Sequence, residues 1–386
     1  MYTGTEPLIN DEYTGESPTK RVLAHLQAKR EEGKKIAGVY CGYAPAELIR
    51  AMDIVPTTLC AFSNSTIDSA ETVLPANLCP LIKSSFGFII SDTCPFYSIS
   101  DVVIGETTCD GKKKMFELIM DRKPTYIMDL PQLPDEEESV TNWTIMIRKL
   151  KRFLEATFKT EATDEQIEAA IKDTNKKNTM MRKVFEFAAM QPPLVGWEEI
   201  YDLTHLSHCA TGKEMEPILD EAIKKLLERK LAGYSCCPEK APRILVTGCP
   251  LGGDAHKVLR IIEESGGVVV ALEACSGFKP FMLNIKEDAD DPVRSLAEYY
   301  LKFPCSCMTP NVRRLSEISR IIDIFKPDAV IDVILQACHA FNIESYKVGE
   351  YVQQNHGLPF LKIITDYSQN DVGQITTRIE ALLESC

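Results

Sequence analysis

The sequence predicts an α/β protein of two similar lobes, each a parallel sheet flanked by helices, joined by a helical connector. Three observations predict it. Short apolar runs alternate with segments of helical periodicity at both ends of the chain, the pattern of successive βα units. The stretch 138–240 lacks such runs and is instead charged and periodic over long segments. The succession of strand, cysteine and helix occurs twice, once on each side of that stretch. At 386 residues the chain also exceeds one ordinary domain.

Residues 1–19 read as an N-terminal arm, loose or exchanged in a dimer. Residues 20–32 (KRVLAHLQAKREE) have helical spacing. KKIAGVYC is a short apolar run ending in Cys41, and the helical APAELIRAMD after it completes a strand–turn–helix unit. DIVPTTLC is the second strand and ends in Cys60. Cys79 precedes a helix, SDVVIGETTC is a third strand ending in Cys109, and PTYIMDLP closes the first lobe, 1–137. In the connector, EEESVTNWTIMIRKLKRFLEATF, DEQIEAAIKDTNKKNTMMRKVFEFAAM and GKEMEPILDEAIKKLLERKLAG read as amphipathic helices, with turns at Pro192–Pro193 and Gly196. The second lobe, 241–386, runs PRILVTGC (to Cys249), a helix from LGGDAHKVLRIIEESG, GVVVALEAC (to Cys275), a helix from NVRRLSEISRIIDIFK, PDAVIDVILQAC (to Cys338), the strand LPFLKIITDYS and the helix QITTRIEALLES. Both lobes are therefore expected to be Rossmann/flavodoxin-like.

The net charge of -13 argues against a nucleic-acid surface. The start, MYTGTEPLINDEYTG, shows no basic segment followed by an apolar one, so no signal peptide is expected. No run approaches the roughly 20 apolar residues that cross a membrane. A reducing cytoplasm is the expected setting, where 14 cysteines point to metal or redox chemistry more than to disulfides.

Cysteine position is more informative than cysteine number. A free cysteine is often only a small buried hydrophobe, but random burial would not favour strand ends. In an open parallel sheet, ligands bind beyond the carboxyl ends of the strands. Cys41, Cys60, Cys79 and Cys109 in the first lobe, and Cys249, Cys275, Cys305 with Cys307, and Cys338 in the second, occupy such places. Thiolates there suit an iron–sulfur cluster. Zinc is disfavoured because Cys305–Cys307 and Cys236–Cys237 do not form two well-spaced pairs, and Cys236–Cys237 is expected to be unligated.

No nucleotide is expected in this chain. GETTCDGKK (105–113) has five residues between Gly105 and Gly111 and Lys113 where a phosphate loop needs Ser or Thr; GCPLGG (248–253) does not match GxGxxG. Lys112 after Cys109, and Lys83 and Ser84 after Cys79, are candidate donors beside an anionic cluster. His339 and Glu344 are the candidate proton donors, with Glu273 a further acidic candidate.

VYCGYAPAELIRA (39–51), LPANLCPLIKSSFGF (74–88), VVIGETTCDGKKKMFEL (102–118), TGCPLGGDAHKV (247–258), ALEACSGFKP (271–280) and TDYSQNDVGQITTRIEAL (365–382) together resemble the 2-hydroxyacyl-CoA dehydratase family of anaerobes over nearly the whole chain. The resemblance implies two α/β lobes and a 4Fe–4S cluster held by Cys41, Cys79 and Cys109. Within the family, PCSCM (304–308) and QACHAF (336–341) are similar to a homodimeric branch with a double cubane, an 8Fe–9S cluster of two sulfide-bridged 4Fe–4S units. That likeness implies a second trio, Cys275, Cys305 and Cys338, with Cys249 and Cys307 as alternates. The internal repeat favours Cys249 over Cys275, since Cys249 matches Cys41. It further implies an ATP-hydrolysing iron–sulfur activator as partner, low-potential electrons, and a small-molecule substrate. Two other readings stand beside it: a dehydratase subunit with one 4Fe–4S cluster, and a non-catalytic electron carrier.

Overall fold

The computed structural model describes residues 7–9 and 17–386. Most of the expected N-terminal arm lies outside the described residues. Of its described part, Leu8 and Ile9 are buried, and the Pro7 carbonyl accepts from Lys225 Nζ at 2.8 Å.

The first lobe consists of α1 (Pro18–Glu31), β1 (Lys35–Val39), α2 (Ala46–Ala51), β2 (Ile54–Thr58), α3 (Ile67–Glu71), α4 (Pro80–Ile90), α5 (Pro95–Ile99), β3 (Val102–Glu106), α6 (Asp110–Met120) and β4 (Thr125–Met128). Four helices follow: α7 (Glu137–Phe158), α8 (Asp164–Ala189), α9 (Trp197–Ser207) and α10 (Gly212–Leu231). The second lobe consists of β5 (Arg243–Gly248), α11 (Lys257–Glu264), β6 (Val268–Glu273), α12 (Pro292–Tyr300), α13 (Val312–Phe325), β7 (Ala329–Leu335), α14 (His339–His356), β8 (Phe360–Thr365) and α15 (Val372–Leu383).

Each sheet has four parallel strands, in the orders β2-β1-β3-β4 and β6-β5-β7-β8. The two orders are the same topology, so the predicted repeat is a repeat of structure. Parallel sheets are covered on both faces, which is why their strands read as unbroken apolar runs: every residue of β3, β5, β6 and β7 is buried. The order reverses between β1 and β3, and again between β5 and β7, the place where such sheets open a crevice at their carboxyl ends.

The helices between the sheets pack on both. Two of them start with a full capping box, Thr163 with Gln166 on α8 and Thr211 with Glu214 on α10. α8 lies against α2 of the first lobe and against β6, α12 and α13 of the second. The lobes also meet directly. One apolar core joins Tyr40, Leu59, Phe86 and Phe116 to Val246, Leu251 and Ile331, and Asp254 N donates to the Phe62 carbonyl at 2.8 Å.

Gly248 ends β5 at φ +116, and a Cβ there would stand 2.2 Å from the Val333 carbonyl oxygen. We expect Gly248→Ala to cost about 2 kcal/mol or more, from strain and clash together. Urea unfolding measures it, and a variant as stable as wild type would contradict the argument.

Candidate functional site

In a parallel sheet every strand delivers its carboxyl end to the same edge, so cysteines that follow strands collect there. Cys41 follows β1, Cys60 follows β2, Cys249 follows β5 and Cys275 follows β6. Cys79, Cys109 and Cys338 stand at the N-caps of α4, α6 and α14. Cys305 and Cys307 lie in the connection between α12 and α13. A helix N-terminus favours a thiolate through its free N–H groups and its dipole; the Lys112 N–H reaches Cys109 Sγ at 3.4 Å.

The two edges bring their thiols together. Cys79 lies beside Cys338, and Cys338 beside Cys249. Cys41 lies near Cys275 and Cys305, Cys305 lies beside Cys307, and Cys109 neighbours Cys79 and Cys305. All six expected ligands and both alternates therefore fall in one group that crosses the lobe interface. Cys249 is almost wholly buried and accepts the Leu335 N–H at 3.3 Å, whereas Cys275 and Cys305 open onto a cavity of about 210 Å³ between the lobes and the connector. Cys60 donates its S–H to the Tyr40 carbonyl at 2.9 Å. Cys109 is exposed. Cys94 caps α5, Cys209 is buried just past α9, and Cys236, Cys237 and Cys386 stand outside the group.

Electrostatics within the group follow from burial. The Cys79 thiol is pushed well up by its hydrogen bond with Cys338 and by burial. Burial does the same to Cys41 and lifts Cys275 to about 11. Cys305 moves the other way, because Cys307 donates to it. Two ammonium groups sit among these sulfurs. Burial disfavours the charge on Lys112, yet Cys41, Cys60 and Glu106 around it raise its pKa. Lys279, equally buried, forms a 2.8 Å ion pair with Glu273 and faces Cys275 and Cys305. Glu106, fully buried, accepts the Ala44 N–H at 2.8 Å and is lifted to about 8 by desolvation.

These features fit an iron–sulfur cluster. The donors are thiols, which lose protons when they take a metal, and buried cations offset the resulting charge. The hydroxyls of Tyr40 and Tyr367 are buried without a partner, beside Cys60 and beside Cys79, Cys60 and Cys249 respectively. Among the described residues no three His, Cys, Asp or Glu side chains close on a single ion.

Of the remaining expected residues, Lys112 is among the thiols. Lys83 pairs instead with Glu71 at 2.7 Å and donates to the Ala76 carbonyl, and Ser84 Oγ accepts the Ser63 N–H at 3.1 Å. His339 is exposed at the start of α14. Glu344 accepts from Asn311 at 2.6 Å and pairs with Arg314.

Sequence reasoning missed the far wall of the cavity, formed by Arg50, Lys177, His205 and His208. Both histidines are on or just past α9, a helix not expected between Gly196 and Gly212. Burial holds His205 near 4 and His208 near 3, and it holds His256, packed on Tyr201, near 3. Each ring is neutral in the folded chain but protonates below about 6.5 once unfolded. Stability is therefore complete above pH 6.5 and falls as pH drops towards 4, by about 1.4 kcal/mol per pH unit for each ring. Urea unfolding of wild type and His256→Gln at pH 7 and pH 5 checks this: the variant should lose one ring's share of the slope, and equal slopes would count against it.

A doubly wound pair of lobes with a thiol-lined interface defines a class of two-lobed α/β proteins built around a cysteine cluster. The 2-hydroxyglutaryl-CoA dehydratase, D-component, family profile matches residues 41–386, and the chain belongs to that family. It is 39% identical over 379 residues, 98% of both chains, to an Escherichia coli (strain K12) protein provisionally named dehydratase subunit YjiM. It is 21% identical to the beta subunit of (R)-2-hydroxyglutaryl-CoA dehydratase from Acidaminococcus fermentans, covering 95% of each chain. It is 20% identical to a benzoyl-CoA reductase subunit of Thauera aromatica, over 88% of this chain and 85% of that one. Among the described residues no helix is long and apolar enough to cross a membrane.

Proposed function

We propose that this chain is an iron–sulfur reductase, a cytoplasmic homodimer that takes low-potential electrons from an ATP-hydrolysing iron–sulfur partner and delivers them to a small molecule. The observation that carries this reading is the meeting of thiols from both lobes, Cys79 with Cys338 and Cys41 near Cys275 and Cys305. In this reading Cys41, Cys79 and Cys109 hold one half of an 8Fe–9S double cubane and Cys275, Cys305 and Cys338 the other, with Cys249 and Cys307 as alternates. Such a cluster supplies electrons at low potential when bound. The chain's own part is to hold it dry, offset its charge with Lys112 and Lys279, and keep beside it a cavity for the substrate. At about 210 Å³ that cavity is smaller than the about 300–1,000 Å³ of sites for drug-sized ligands, which favours a small substrate.

A second reading, a 2-hydroxyacyl-CoA dehydratase subunit with one 4Fe–4S cluster, is favoured by the names of the Acidaminococcus protein and of the beta subunit of lactoyl-CoA dehydratase from Anaerotignum propionicum. Iron and acid-labile sulfide per chain, measured on anaerobically purified protein, separate the two. About eight irons with about nine sulfides support the double cubane; about four of each support the dehydratase subunit.

A further inference from the structure

The histidines at the far wall of the cavity have no role in the cluster and charge balance proposed so far. His205 lies on the last turn of α9 and His208 caps it, so the two share one face of the helix at i and i+3. Both line the same cavity as Cys41, Cys275 and Cys305. Both rings are half-buried. The end of α9 is held firmly. Arg50 donates to the carbonyls of His208 and Ala210, both at 3.1 Å, and Lys177 to that of Ser207 at 2.7 Å. The backbone carbonyls are thus satisfied by the half-buried Arg50 and the buried Lys177, while the two rings face the cavity. Tyr201 stacks on His205 at 5.3 Å between ring centroids and fixes its plane.

We propose that His205 and His208 relay protons through the cavity to a small molecule being reduced at its thiol-lined side. This rests on the reductase reading. Adding electrons in a buried space requires protons to follow, or charge accumulates where desolvation makes it costly. A neutral imidazole carries one N–H and one lone pair, so it gives a proton from one nitrogen while accepting another on the second. A pair of such rings moves protons without either becoming an imidazolium. The groups around them agree with that. Arg50 and Glu47 of α2, Lys177 of α8, Tyr299 and Tyr300 of α12, and His256 before α11 border this wall; burial keeps His205 uncharged at neutral pH, and burial with Lys177 and Arg50 nearby keeps His208 so.

Acetylene serves as the probe, with titanium(III) citrate as reductant. Two titanium(III) ions are oxidised to titanium(IV), the carbon–carbon triple bond becomes double, and two C–H bonds form with two protons drawn from water through the rings. Ethylene is read by gas chromatography on iron-loaded protein. His205→Gln and His208→Gln should each slow the reaction about 10-fold, and together about 100-fold, with a larger solvent deuterium isotope effect. Iron, sulfide and the electron paramagnetic resonance signal of the reduced protein should stay as in wild type. A double variant that matches wild type in rate and isotope effect would overturn the relay alone. Wild-type protein that carries iron and sulfide, shows the reduced electron paramagnetic resonance signal with titanium(III) and still reduces no acetylene would overturn the reductase reading and the relay with it. Histidine nitrogen NMR on full-length wild type decides the matter independently of any variant's folding: both rings should be neutral at pH 7, and either ring charged there overturns the proposal.

Discussion

Cys79→Ala protein should purify with half of the wild-type iron and sulfide or less. Cys79 stands at the N-cap of α4, only 8% exposed, and its sulfur lies beside Cys338 of the other lobe. Its neighbour Cys109 also lies near Cys305 of the second lobe. A half-cluster deprived of one of three thiolates loses a ligand that Cys60, whose S–H goes to the Tyr40 carbonyl at 2.9 Å, is not placed to replace. Cys338→Ala should behave alike. Cys94→Ala, Cys209→Ala and Cys386→Ala should keep their full iron. Metal and sulfide analysis under exclusion of oxygen reads all of these, and Cys79→Ala protein with undiminished iron and sulfide would remove that residue from the ligand set. Comparing Cys249→Ala with Cys275→Ala in the same way decides which of them completes the second trio.

Replacing Arg314 by leucine should lower folding stability by about 3–5 kcal/mol, the cost of leaving buried charges without their partner. Arg314 of α13 is fully buried. It pairs with Glu344 of α14, donates to Thr247 Oγ1 at 3.0 Å, and approaches Glu273 at 3.5 Å and Asp332 at 3.7 Å. Its guanidinium also lies 4.8 Å from the centre of the Phe341 ring. Thr247, Glu273 and Asp332 belong to β5, β6 and β7, so one cation ties together three strands at the end that carries Cys249, Cys275 and Cys338. Denaturant unfolding of the iron-free proteins measures the loss without interference from metal. A change below about 1 kcal/mol would show that the network is not what holds that edge.

Much of the fold was legible because its signals are local. Every strand of both sheets coincides with an apolar run that ends before a cysteine or a turn, and α1, α8, α10 and α13 have plain helical spacing. The double occurrence of strand and cysteine mapped onto two sheets of identical strand order. What escaped were helices whose signals are weak or interrupted. α9 begins with Gly196 as its N-cap and no side-chain cap, between prolines and a glycine that read as turns. α12 and α14 start at Pro292 and His339, inside segments where the cysteines are the stronger signal. The polar wall of the cavity was invisible for a different reason. Arg50, Lys177 and His208 are far apart in the chain, and only the packing of α8 on α2 brings them to the end of α9. Lys83 and Ser84 show the converse limit: nearness to Cys79 in sequence did not aim their side chains at it, since Glu71 and the Ser63 N–H claim them first.

The contact between Cys79 and Cys338 joins residues of opposite lobes, far apart along the chain. A ligand gripping both thiolates acts as a clasp across that span, and only the folded chain brings the two together to receive it. The unfolded chain has no such pair in place, so the folded state gains by mass action with every increase in free ligand over its dissociation constant. The melting temperature of this protein is then not a fixed property of its sequence. Where that ligand is the iron–sulfur cluster proposed above, the melting temperature becomes a gauge of how much iron and sulfide the surroundings supply.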